Sequence, residues 1–485
     1  MTGSLKKKTS FALFWSFIDK GGQQFLQLAF GIVLARILLT EDFGIFALLA
    51  IFSAMANILQ ESGFASALIR KSNPDKADFA SVFYFNVCIS IIIYLALFFS
   101  APLLSDFYDK PVLSALARIT FLSFVFNSFG IIQNVILVRK MDFKTNTKAT
   151  LISSLLAGVV SITLALQGYG VWALVAQLVV QSFIRSLLLW IFVKWRPETA
   201  FSFPHIKAMS AYSSKLLVTS LMNQFCVNIY SNVIGKCFTS HLVGVYNQAN
   251  KFSSIPQSVI SDGIKAATFP ALAKIKDDDQ YLKKAYRKII RITAFISFPI
   301  ALAIILTAKP IILILITEKW EQAIPLLQIF AIGGAFYPLY SLVATLLQTI
   351  GKSGLILKLE TFRNVMAMSI LFFTTQMGVT EIVMGFSFVN IAIFFVGMVV
   401  AGKHINYKLI EIAKDIAPFM LIACFCFVPF GFIEQLGISN LWALLLIPGL
   451  SGVILYLGIL KLAGSVIIDD SILFLKEMFH KKQEK

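Results

Sequence analysis

Apolar stretches of 19–30 residues alternate with short polar connections along most of the chain. Each is long enough, at about 1.5 Å per residue, to cross a bilayer as a helix. The pattern predicts fourteen spans, at about 11–36, 44–68, 79–104, 113–137, 149–167, 171–194, 208–236, 243–271, 286–308, 320–349, 355–376, 380–402, 412–433 and 440–461. Lys6, Lys7 and Lys8 precede the first span, and no small-residue cleavage site follows, which predicts a spanning helix rather than a removable signal. Beyond the last span, Asp470 to Lys482 places Ile472, Leu473, Leu475 and Phe479 broadly on one side, as in a helix lying along the inner surface.

Polar positions inside the spans fall at helical spacing. In Gly244–Pro270, Asn247, Lys251, Ser254, Ser258, Asp262 and Lys265 lie within roughly 60° of one another at about 100° per residue, a single polar stripe. A charge at mid-membrane costs roughly 2.5–3.5 kcal/mol, so that face requires water rather than lipid. Pro256 takes the helical donor from the Phe252 carbonyl and is expected to bend the helix. The first span repeats the pattern with Ser16, Lys20, Gln23 and Gln27, Asp19 beside them; the second has Ser53, Asn57, Gln60 and Glu61. The sixth has Gln177, Gln181 and Arg185, the seventh Lys215, Thr219 and Asn223, and the eleventh Arg363.

Composition turns this pattern into a class. With 58% hydrophobic residues and a mean hydropathy of +0.81, the chain is an integral membrane protein. Basic residues load every second connection: Arg70, Lys71 and Lys76; Arg139 to Lys148; Lys194, Arg196 and Lys207; Lys274 to Arg291; Lys352 and Lys358; Lys403, Lys408 and Lys414. This bias places both termini in the cytoplasm and makes the net charge of +17 a matter of topology, with no nucleic-acid partner required. The five cysteines give no disulfide framework or zinc spacing, and the histidines fall near segment ends, so neither metal nor cofactor is expected.

A displacement of 200 residues sets Gln23-Gln24-Phe25 against Asn223-Gln224-Phe225, Gly44-Ile45-Phe46 against Gly244-Val245-Tyr246, and Gly63 and Ala67 against Gly263 and Ala267. With an eight-residue insertion, Ser100-Ala101-Pro102 matches Ala308-Lys309-Pro310. Six spans separate the mates, so the repeat is parallel. The expected fold is an all-α polytopic membrane protein: a six-helix lobe in 1–200, a second in 201–405, helices 13–14 in 406–465 and an amphipathic tail in 466–485. Inside the spans six cations (Lys20, Arg185, Lys215, Lys251, Lys265, Arg363) face three anions (Asp19, Glu61, Asp262). All but Lys251 fall in the cytoplasmic half of their spans, so a shared cavity is expected to be most cationic near the inner leaflet. Such a cavity suits an anionic ligand such as a phosphate. The alternative is that Lys215, Lys265 and Arg363 snorkel or pair internally, and that the acids serve as counter-ions rather than as carriers of a coupling proton or cation.

The run Leu34-Ala35-Arg36-Ile37-Leu38-Leu39-Thr40-Glu41-Asp42-Phe43-Gly44, followed by Gly63-Phe64-Ala65-Ser66-Ala67-Leu68-Ile69-Arg70-Lys71, resembles the opening of Wzx-type polysaccharide flippases. So do Gly168-Tyr169-Gly170-Val171-Trp172-Ala173-Leu174 and the pattern Gly244, Tyr246, Ala249, Lys251, Pro256, Phe269-Pro270. The likeness is to the colanic-acid-exporter branch of the multidrug/oligosaccharidyl-lipid/polysaccharide exporter superfamily, whose fold is MATE- and MurJ-like. It implies a translocase, not an enzyme, moving an undecaprenyl-diphosphate-linked oligosaccharide across the bacterial inner membrane by alternating access, with a polysaccharide polymerase as a partner. A lipid II flippase shares the span count and cationic cavity. A drug or cation antiporter of the same superfamily generally has twelve spans and an anionic cavity. A membrane glycosyltransferase or polymerase usually shows a large outer loop with catalytic residues, and the outer loops here are short.

Overall fold

The computed structural model describes residues 2–61, 64–71, 73–436 and 440–463, without the side chains of 2–14, 16–17, 60–61, 208–220, 222–223, 226–227, 267 and 433–436. The chain forms two compact units, Met1–Gly244 and Val245–Lys485. Helices of the first are α1 (Thr2–Ile37), α2 (Thr40–Leu48), α3 (Ala50–Glu61), α4 (Phe64–Arg70), α5 (Lys76–Tyr108), α6 (Val112–Thr120), α7 (Leu122–Arg139), α8 (Phe143–Leu166), α9 (Trp172–Val193) and α10 (Phe203–Cys237). Then come α11 (Ser240–Ala273), whose first residues to Gly244 belong to the first unit, α12 (Asp279–Ile316), α13 (Ala323–Gly334), α14 (Tyr337–Thr349), α15 (Ser353–Thr374), α16 (Val379–Gly402), α17 (Leu409–Phe427), α18 (Leu441–Leu446) and α19 (Gly452–Leu462). The described residues hold helices and turns but no strand. In a bilayer only intra-segment hydrogen bonding satisfies the backbone of an open chain.

Ten segments among the described residues are long and apolar enough to span a membrane. Outside that set stand four more helices, α1, α10, α11 and α15. They coincide with the first, seventh, eighth and eleventh predicted spans, and α11 (Lys251, Asp262, Lys265) and α15 (Lys358, Glu360, Arg363) each carry three charged residues. The predicted tail at 466–485 lies outside the described residues.

In the first unit, α8 packs on α1 and α9, α7 on α5 and α9, and α10 against α3, α4 and α5. The compact division therefore falls at Gly244, later than the repeat boundary at residue 200. Repeat mates meet at its end: a Cβ on Gly44 would sit 1.6 Å from the Ser240 carbonyl oxygen, and one on Gly244 2.2 Å from the Thr40 carbonyl oxygen. Because 40 pairs with 240 and 44 with 244 under the 200-residue displacement, these reciprocal contacts have the form of a local two-fold crossing. Only glycine lets the backbones approach this closely. Thr40 Oγ1 and His241 Nδ1 join the same crossing at 2.5 Å.

In the second unit, α12 runs 38 residues and packs against α13 and α17. Pro299 leaves the Phe295 carbonyl without its helical donor, and the Tyr456 hydroxyl of α19 donates to that oxygen at 3.2 Å while its ring stacks on Phe295. A proline break in one helix is thus closed by a side chain from another.

Candidate functional site

A polar assembly of the first unit is built from α1, α7, α8 and α9. Gln181 and Arg185 stand one turn apart on α9. Gln181 Nε2 donates to Ser154 Oγ of α8 at 2.9 Å. Among the partners of the Arg185 guanidinium are three neutral oxygens, with Nε donating to Thr150 Oγ1 at 3.4 Å and Nη2 to Asn134 Oδ1 at 3.4 Å and Asn146 Oδ1 at 3.3 Å. From α1, the partly buried Asp19 carboxylate stands in the field of Arg185 and of the exposed Lys20, and its Oδ1 is buried without a hydrogen-bond partner. The structure therefore brings together three residues singled out from the sequence, Asp19, Lys20 and Arg185. Such an assembly can present positive charge inside a polar, hydrogen-bonding wall.

The α11 stripe lies along one continuous helix. Ser254, Ser258, Asp262 and Lys265 are exposed, and Asn247 and Lys251 are partly buried. No acid pairs with the Lys251 ammonium among the described residues. The opposite face is polar as well: Ser253 is buried, accepts a bond from Gln257 Nε2 at 2.7 Å, and Gln257 lies flat on Gly334, where a Cβ would fall 1.9 Å from that nitrogen. The helix continues through Pro256.

Arg363 stands in a local cluster. Its Nη2 pairs with Glu360 Oε2 at 2.7 Å, one turn earlier on α15, and the Tyr340 hydroxyl donates to Glu360 Oε1 at 2.9 Å. Glu360 is absent from the sequence-based charge inventory, so the charge of Arg363 has a counter-ion that inventory lacks. The side chains of Lys215 and Glu61 lie outside those described.

Sequence reasoning missed three further features. Arg118 lies within a candidate span, its guanidinium 4.7 Å from the Phe98 ring centroid and its Nε buried without a partner. Asp415 on α17 is wholly buried and accepts from Arg287 Nε at 2.6 Å and Nη2 at 3.0 Å, from Arg291 Nε at 2.7 Å and from the Tyr407 hydroxyl at 2.7 Å. Glu411, one turn away, takes Lys283 at 2.8 Å and Arg287 at 3.3 Å. Burial first, then the bond to Asp415, pushes the Tyr407 hydroxyl well above the ordinary tyrosine range. Arg287 and Arg291 read in the sequence as topology markers of a loaded connection, and the acid Asp415 inside the predicted span 412–433 was the available signal. The third feature is that His205 lies beside Asp75 and Asp78.

Long apolar helices among the described residues, with ionisable side chains set among them, define a multi-pass membrane protein. Its fold matches a solved "Lipid II flippase MurJ, inward closed conformation" at a TM-score of 0.76 and 17% identity, over 95% of this chain and 100% of that one. The chain belongs to the family described as "Polysaccharide biosynthesis protein", whose model matches residues 33–325. It is 27% identical over 342 residues to the "Succinoglycan biosynthesis transport protein ExoT" of Rhizobium meliloti (strain 1021), covering 70% of this chain and 69% of that one. With the "Lipopolysaccharide biosynthesis protein WzxC" of Escherichia coli (strain K12) it shares 26% identity over 396 residues, 80% of each chain. These relatives agree with the resemblance drawn from the motifs around Gly44 and Gly244.

Proposed function

We propose that the protein is a flippase that moves undecaprenyl-diphosphate-linked oligosaccharide repeat units across the bacterial inner membrane for surface polysaccharide synthesis. The observation that carries the reading is the Arg185 assembly, in which cationic and neutral polar side chains from four helices meet inside a unit of apolar spans. Arginine suits a diphosphate because its guanidinium offers paired donors to phosphate oxygens. Asparagine, glutamine, serine and threonine around it suit a sugar. Family membership and the names of the relatives support the cargo class.

In this reading the lobes 1–200 and 201–405 rock around a shared cavity to which Lys20, Arg185, Lys215, Lys251, Lys265 and Arg363 contribute, with both termini cytoplasmic. The diphosphate enters at inner-leaflet depth, the lipid tail stays in the bilayer, and no covalent bond is broken. Asp19, Glu61 or Asp262 carries a coupling proton or cation. The delivered repeat unit passes to a polymerase at the outer face.

The test is deletion of the gene in its host, with analysis of the lipid-linked material that accumulates. A lipid-linked oligosaccharide repeat unit, cleared by the wild-type gene and not by Arg185→Ala, is the expected result. Undiminished export by Lys20→Ala, Arg185→Ala and Lys251→Ala would remove the cationic site. Likeness to a lipid II flippase fold favours a second reading, and accumulation of a peptidoglycan precursor instead would establish it.

A further inference from the structure

At the start of α5, Asp75 is the N-cap and Asp78 the third helical residue, and the two form a reciprocal capping box. That box engages one oxygen of each carboxylate. The Asp78 amide donates to Asp75 Oδ1 at 2.7 Å, and the Asp75 amide donates to Asp78 Oδ2 at 2.9 Å, which also accepts Lys71 Nζ at 2.6 Å. The remaining oxygens have no part in the cap. Asp75 Oδ2 lies 3.5 Å from His205 Nε2, and Asp78 Oδ1 is wholly buried with no hydrogen-bond partner. His205, in the first turn of α10, has its other ring nitrogen fixed, since Nδ1 lies 2.7 Å from Ser202 Oγ.

One carboxylate oxygen from each aspartate and one ring nitrogen of His205 lie within 4.8 Å of one another. A separation of 3.5 Å is long for an N–H···O bond. It is close to the edge of a tetrahedron around Zn²⁺, about 3.3–3.6 Å for metal–ligand bonds of about 2.0–2.2 Å. We propose that Asp75 Oδ2, a carboxylate oxygen of Asp78 and His205 Nε2 form a site for a divalent transition-metal ion of the zinc class, with the fourth position left to water. Each ligand has its second polar atom held in place, by the capping amides or by Ser202, as outer-sphere partners orient metal ligands. Two carboxylates balance the charge of the ion. The positive end of α5 and the Lys71 ammonium oppose it and weaken the affinity. Lys71 is 42% exposed and can swing into solvent. When filled, the site clasps the start of α5 to the start of α10, two elements joined in the chain only through α6 to α9.

The test titrates Zn²⁺, and separately Mg²⁺, into chelator-stripped full-length protein in detergent, with metal content measured after desalting and Co²⁺ absorption used to read the coordination number. One equivalent of Zn²⁺, no uptake of Mg²⁺ and a tetrahedral Co²⁺ spectrum are expected. His205→Ala and Asp75→Asn lose the site, whereas His404→Ala, at an exposed histidine elsewhere, keeps it. Absence of zinc uptake by the wild type, an octahedral Co²⁺ spectrum, or equal uptake by His205→Ala would overturn the proposal. If His205→Ala does not fold, His205→Gln takes its place.

Discussion

Arg185 in the first unit and Arg287 with Arg291 in the second are guanidinium groups set into apolar helical bundles, yet their neighbours differ in kind. Arg185 meets Thr150, Asn134 and Asn146 at 3.3–3.4 Å, and Asp19 stands in its field. Arg287 and Arg291 close on the wholly buried Asp415 at 2.6–3.0 Å, and Tyr407 completes the shell. Short bonds to a buried carboxylate fix one arrangement, because removing either partner strands a charge. Longer bonds to neutral oxygens cost less to exchange for a ligand. The contrast separates a structural use of buried charge, fastening α17 to α12, from a use suited to a cargo that arrives and leaves.

The largest effect is expected where the fastening is broken. Asp415→Ala removes the carboxylate that Arg287 and Arg291 share and lowers stability by about 1.5–3 kcal/mol, read as a fall in the unfolding midpoint of detergent-solubilised protein and in membrane abundance. Equal abundance and midpoint would show that the clamp is not structural. Gly44→Ala comes next. A Cβ there would sit 1.6 Å from a carbonyl oxygen, so the crossing must part or strain by about 1–3 kcal/mol, and cysteines placed at Thr40 and Ser240 would crosslink less readily in the variant.

Arg185→Ala reverses the pattern. Polymer export should drop at least about tenfold, equivalent to about 1.4 kcal/mol, with membrane abundance near that of the wild type. Loss of abundance in step with export would class Arg185 with Arg287 and end the contrast. Tyr456→Phe keeps the ring on Phe295 and removes one bond to the carbonyl freed by Pro299, at a cost of about 1 kcal/mol, measurable as a modest midpoint shift. Smallest is Glu360→Gln, which removes the partner of Arg363. A partly exposed pair of this kind is worth about 0–1 kcal/mol, so stability should barely change, while any rise in export would mark Arg363 as restrained by its acid.

Most of the architecture was legible along the chain. Span lengths, the polar stripe of α11 and the polar faces of α1 and α9 follow from apolar and polar spacing, a local property that helical geometry converts directly into faces. The 200-residue repeat anticipated that Gly44 and Gly244 are equivalent positions; that they cross each other, with Thr40 and Ser240 as the facing carbonyls, depended on packing. Partners were decided by tertiary structure alone. Asp415 finds Arg287 and Arg291 across two helices, Glu360 finds Tyr340 as well as its neighbour Arg363, and His205 meets Asp75 and Asp78 through the approach of α10 to α5. Hydropathy reports which residues leave water and on which face. It carries no term for which distant charge will stand opposite, because that pairing arises only when the helices have taken their places.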